Sequence, residues 1–100
     1  MIYMVASYYV IPGKSEEARE LLSKHNSWQK KKYGVELQRM VPMTPAPGQV
    51  NSILSMARFD SLKDWADFAQ KLEGDPEREE IFKNAWKYFS DFHRCLYKTI

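Results

Sequence analysis

Cysteine is almost missing from this chain of 100 residues: Cys95 stands alone. That excludes an intrachain disulfide and leaves no cysteine set for a structural zinc site. Histidine is nearly as scarce. His25 and His93 fall on different predicted elements, with no carboxylate at ligand spacing from either, so the pattern calls for no metal and no other cofactor. No apolar run approaches bilayer-spanning length, and the first ten residues lack the basic start of a secretion signal, so the expected compartment is the cytoplasm, with no membrane partner. An excess of one charge is missing too. The net charge of +2 is too small to argue for nucleic acid. The densest basic run, Lys30-Lys31-Lys32, sits at a predicted helix end, where cations complement the negative end of the dipole. Gly-rich phosphate loops, nucleophile elbows, Cys-x-x-Cys pairs and nucleotide fingerprints are all absent.

What is present is a globular composition, 44% hydrophobic and 28% charged, in a length that suits one domain over residues 1–100. Aromatic residues reach 14% and include Trp28, Trp65 and Trp86. So small a domain has few places to hide them: either they fill one core, or some line a cavity or a subunit interface.

Ile2 to Ile11 reads as a strand, rich in Tyr, Val and Ile and free of breakers. Both of its faces are largely apolar, so both are expected to be covered. Pro12-Gly13 ends it. Ser15 is the expected N-cap of a helix, with Glu16 and Glu17 in its first turn and Ala18, Leu21, Leu22, His25 and Trp28 on one stripe. Gly34 suits its C-cap. Val35 to Val41 alternates as a half-exposed strand. Pro42 to Gly48, with three prolines, is expected to be a hairpin loop, and Gln49 to Phe59 the returning strand. Ser61 and Asp64 stand at capping-box spacing before a helix with Leu62, Trp65, Ala66, Phe68, Ala69 and Leu72 buried, and Gly74 ends it. Asp75-Pro76 restarts a helix whose apolar face is Ile81, Phe82, Ala85, Trp86 and Phe89. Phe92 to Ile100 reads as the last strand, with Cys95 expected as a small buried hydrophobe.

The order is β-α-β-β-α-α-β, the ferredoxin-like split βαβ plan in the α+β class: a four-stranded antiparallel sheet with helices on one face. The opposite face, carrying Tyr3, Val5, Tyr9 and Ile11 or their even-numbered neighbours, would stay open. Packing it on a second copy closes a dimeric α/β barrel.

Ile2-Tyr3, Tyr8 and Pro12-Gly13-Lys14, with Phe59-Asp60-Ser61-Leu62 and Asp75-Pro76-Glu77, resemble the strand, turns and caps of NIPSNAP-like proteins. Those belong to the dimeric α/β-barrel superfamily, which also holds antibiotic-biosynthesis monooxygenases and haem-degrading monooxygenases. The resemblance implies a homodimer with a pocket between helices and sheet. Across the superfamily it implies oxygenases, isomerases, dehalogenases and members without known activity. The haem-degrading pattern fails here. Its asparagine position falls on Ala6, its tryptophan position at or near Phe68, and its axial histidine position reads Lys83-Asn84-Ala85-Trp86.

Among side chains that could carry chemistry, His25 leads. On the apolar stripe between Leu22 and Trp28 it could serve as a general base in metal-free catalysis, its pKa lying near working pH. The competing reading is a buried structural histidine bonded to a tyrosine or a carbonyl, the commoner fate of such residues. Tyr8, Tyr9 and Tyr33 could donate to a carbonyl or quinone-like ligand, or simply pack. Arg39 and Arg58 could clamp a carboxylate if both face a pocket, or be solvated if they face out. Trp28, Trp65, Phe68 and Trp86 could line a substrate site or fill the core. Taken with these side chains, the resemblance implies a metal-free monooxygenase- or isomerase-like enzyme acting on a small aromatic or polyketide-like molecule, with His25 catalytic and Tyr8, Trp28, Arg39, Trp65, Phe68 and Trp86 around the substrate. The alternative is a non-catalytic homodimeric binding module. An open cavity at His25 favours the first; the same space filled by the three tryptophans favours the second.

Overall fold

The computed structural model describes residues 1–44, 46–47 and 50–100. Strand β1 (Ile2–Val10) is followed by α1 (Ser15–Tyr33), β2 (Gln38–Met40), β3 (Ser52–Phe59), α2 (Leu62–Leu72), α3 (Pro76–Phe82), one 3-10 turn (Ala85–Lys87) and β4 (Phe89–Lys98). The four strands form one antiparallel sheet in the order β2-β3-β1-β4. This is the expected ferredoxin-like α+β arrangement. β1 lies between β3 and β4, so its backbone is paired on both edges, as its lack of glycine and proline allows.

Strand alternation decides which face is covered. Met4, Ala6, Tyr8 and Val10 of β1 are buried with Ile53, Ala57 and Phe59 of β3 against Ala18 and Leu22 of α1. Burying Leu22 alone is worth about 2 kcal/mol. The odd-numbered residues Tyr3, Val5, Ser7 and Tyr9 lie on the other face beside Leu54, Met56 and Arg58, and no helix among the described residues covers them. Cys95 pairs with Val5 on this same open face and is exposed, not buried as the sequence suggested. Its strand sits at the sheet edge, on the side away from the helices.

Caps follow side-chain chemistry with one exception. Ser61 accepts from the Asp64 N–H at 3.1 Å, and Asp75 accepts from the Glu77 N–H at 2.9 Å with Pro76 in the first helical position. Gly34 caps α1 at φ 73°, the left-handed conformation in which a side chain would be strained. Ser15, the expected cap of α1, is instead its first helical residue; Lys14 precedes it and makes no side-chain cap bond.

Three boundaries differ from expectation. β2 is shorter than Val35 to Val41, because only Gln38 to Met40 pair with β3. β3 begins at Ser52, and Pro45, Gly48 and Gln49 of the expected loop and strand lie outside the described residues. α3 stops at Phe82, so Trp86 falls in the 3-10 turn and Phe89 opens β4. β4 then carries a bulge: Tyr9 opposes Asp91 but Val10 opposes Phe89, leaving Ser90 extra. Ser90 Oγ donates to the Tyr9 carbonyl at 3.3 Å. The extra residue inverts the alternation, so Phe89 and Phe92 both reach Tyr8, at ring-centroid distances of 5.3 and 5.0 Å.

Candidate functional site

The bulge, α1 and α3 together enclose the chemistry. His25, three turns into α1, is only 3% exposed and faces the sheet as its stripe predicts. Its ring lies 4.6 Å from Phe82 of α3 and 5.7 Å from Trp28. Both imidazole nitrogens are buried without a hydrogen-bond partner. Burial, helped by the positive charge of Arg78, lowers the pKa to about 4, so the ring is neutral at pH 7. A neutral imidazole has one N–H to give and one lone pair to accept with, and here neither is used.

Beneath His25 lies a cavity of about 30 Å³ lined by Tyr8, Gln29, Ser55, Trp65, Phe68, Arg78 and Arg94, among others. Ser55, 1% exposed, also carries an unpartnered hydroxyl, and the Nε–H of Arg78 is likewise buried without a partner. The sheet register explains how they meet. Arg39, Ser55, Ala6 and Arg94 form one row across β2, β3, β1 and β4 on the helix-covered face, and the small side chain of Ala6 leaves room under His25. Unpartnered buried polar groups each cost about 1–3 kcal/mol, so several around one void mark a place where something polar belongs.

A second, wider cleft of about 260 Å³ opens beside it, lined by Tyr8, Arg78, Phe82, Trp86, Phe89 and Phe92, with Asp91 at its margin. Tyr8, Arg78 and Phe92 border both spaces. Burial raises the Tyr8 pKa, with Arg78 and Arg94 opposing, so its hydroxyl is a proton donor at neutral pH.

Of the residues singled out from sequence, Tyr8, His25, Trp65 and Phe68 border the inner cavity. Trp86 is 71% exposed and borders only the outer cleft. Trp28 packs behind His25, donating its indole N–H to Glu77 at 2.9 Å. Arg39 stands elsewhere, donating to Ser23 Oγ at 2.8 Å and to the Arg19 carbonyl at 3.3 Å. Arg58 pairs with Tyr3 on the open face, so Arg39 and Arg58 lie on opposite sides of the sheet and cannot share a ligand. Ser55, Arg78 and Arg94 were not singled out. The last two carried a signal: Arg78 interrupts the stripe that continues at Phe82, and Arg94 breaks the inward alternation of Phe92 and Leu96.

No family model matches the chain, and no curated protein matches it. Solved structures do. A NIPSNAP domain protein from Burkholderia xenovorans superposes with a TM-score of 0.82 at 15% identity, covering 100% of this chain and 95% of the other. A NIPSNAP family protein from Agrobacterium tumefaciens gives 0.79 at 19% identity, covering 99% and 92%. A candidate antibiotic biosynthesis monooxygenase from Deinococcus radiodurans gives 0.74 at 11% identity, covering 100% and 93%. The chain shares the NIPSNAP-like fold. Identities this low carry the fold and leave the chemistry to the residues.

Proposed function

We propose that this chain is a metal-free enzyme for a small aromatic molecule, in which His25 accepts a proton from the bound substrate. The observation that carries this reading is the pair of unpartnered nitrogens on a neutral, buried imidazole at the wall of a polar cavity. Structural histidines in most folds spend at least one nitrogen on a neighbour. At a pKa of about 4 the resting imidazole is a weak base, so only substrates whose protons are already acidic, such as 1,3-dicarbonyl compounds, come within its reach, and negative charge on a bound substrate would raise its basicity. Tyr8 supplies the matching hydroxyl donor for the developing negative charge, and Trp65 and Phe68 exclude water from it.

The working unit in this reading is a homodimer formed through the open face of the sheet. Tyr3, Val5, Leu54 and Met56 give that face an apolar centre, with Arg58 toward one end and Asp91 toward the other. A two-fold arrangement with strands running oppositely sets the Arg58 end of one copy against the Asp91 end of the other.

Proton exchange tests the catalytic reading. Aryl-substituted 1,3-diketones in deuterated buffer should exchange their acidic C–H faster with the wild-type protein than with His25→Phe. Equal rates for the two proteins across the panel would end it. The narrowness of the inner cavity favours one other reading, a non-catalytic homodimeric module whose helix–sheet space is filled mostly by side chains.

A further inference from the structure

The inner cavity is lined by two cations, Arg78 and Arg94, and by no carboxylate; Asp91 reaches only the outer cleft. Among the described residues neither arginine is in an ion pair. The Arg78 guanidinium rests over the Phe82 ring at 5.1 Å, which holds the fork in place, while its buried Nε donates to nothing. Arg94 occupies the end of the register row that begins at Arg39 and passes through Ser55 and Ala6. Two cations and an unpartnered hydroxyl around one void, with no carboxylate to balance them, favour an anion there.

The sizes say which kind. The inner cavity of about 30 Å³ accommodates the oxygens of one planar acid group, since a single water needs roughly 10–15 Å³. The outer cleft of about 260 Å³ is walled by Tyr8, Phe82, Trp86, Phe89 and Phe92, which offers a ring four aromatic neighbours besides Tyr8. Neither space alone is a usual ligand pocket of about 300 Å³ or more, but they adjoin at Tyr8, Arg78 and Phe92.

We propose that the cavity and the cleft form one site for a small arylalkyl carboxylate, its acid group between Arg78 and Arg94 with Ser55 donating, and its ring among Phe82, Trp86, Phe89 and Phe92. This names the acid group carried by the substrate of the site proposed above and rests on that reading only in placing His25 beside a carbon flanked by that acid group and a second carbonyl, as in an aryl 3-oxo acid, for which phenylacetate is the non-reacting probe. Arg78 is the specificity-determining residue, because its stacked fork faces both spaces. Trp86, exposed in the single chain, gains its cover from the ligand ring.

The test is titration calorimetry with phenylacetate and its neutral isostere phenylacetamide, with the imidazole resonances followed by NMR. The carboxylate should bind about tenfold or more tightly than the amide and shift the His25 signals. Arg78→Gln and Arg94→Gln should each weaken binding of the carboxylate far more than binding of the amide, so that the tenfold preference is lost. Arg94 is exposed, so its replacement tests the site without threatening the fold. Equal binding of acid and amide, no binding of phenylacetate at millimolar concentration, or shifts confined to residues away from His25 and Phe92 would each overturn the proposal. Acid-selective binding without proton exchange on any substrate would keep this site and end the enzyme reading. Exchange on neutral diketones without acid preference would do the reverse.

Discussion

The His25 imidazole and the Phe82 ring lie 4.6 Å apart, centroid to centroid, at an interplanar angle of 58°. That contact joins α1 to α3 over the cavity and seals His25 from solvent without offering it a hydrogen bond. The neutrality of His25 and the emptiness of its hydrogen-bonding capacity both follow from this aromatic cover.

Acid should therefore destabilise the protein through His25. The folded state resists protonation down to about pH 4 while the unfolded chain takes up a proton near 6.5. Stability present above pH 6.5 is lost as pH falls toward 4, by up to roughly 3 kcal/mol from this residue. Urea denaturation at a series of pH values should show that fall in wild type and a flatter profile in His25→Phe.

His25→Phe should also fold normally at pH 7. It removes two unpartnered nitrogens, and the adjoining cavity can take the larger ring. An unchanged or slightly raised melting temperature is expected; a large drop would reveal a hydrogen-bonded structural role.

The second acid-sensitive element is Asp75, a buried N-cap that receives Lys32 Nζ at 2.8 Å and the Tyr33 hydroxyl. The Lys32 ammonium, then the Tyr33 hydroxyl, lower its pKa from 3.8 to about 2. Its contribution is complete above pH 4 and disappears as pH falls toward 2. Asp75→Asn should lower the melting temperature at pH 7 by several degrees and erase the low-pH part of the profile, read by thermal denaturation. Lys32 also bonds Glu77 at 2.8 Å, so part of the tie between α1 and α3 survives that change.

Much of this was legible in the chain and some was not, for local reasons. His25 could be placed on the buried stripe because α1 keeps one period for 19 residues. The Asp75-Pro76 restart could be read because capping is local chemistry. Phe89 was misplaced because its spacing from Phe82 and Trp86 mimics a helix, whereas the bulge at Ser90 depends on pairing with a strand 80 residues away in the chain. Arg78 and Arg94 meet at one void only after α3 and β4 are folded over Ala6, so their shared role has no sequence signature. Cys95 looked buried because strand cysteines usually are, and its exposure depends on which strand ends the sheet.

The open face yields a test of assembly. Val5, between Met56 and Cys95, lies near its centre. In the proposed dimer Val5→Asp places a charge in a dry interface, so sedimentation should find a dimer for wild type and a monomer for the variant. The Cys95 thiol should react slowly with a disulfide reagent in wild type and quickly in the variant. A wild-type monomer, or a variant that remains dimeric, would contradict the assignment of this face.

The most direct test of the account is an NMR titration of the His25 ring protons, assigned with His25→Phe. A midpoint near 4 would establish the neutral, aromatic-covered imidazole on which the proton-acceptor reading depends. A midpoint at or above 6.5 would contradict it, since the ring would then have water or a hydrogen-bonded partner.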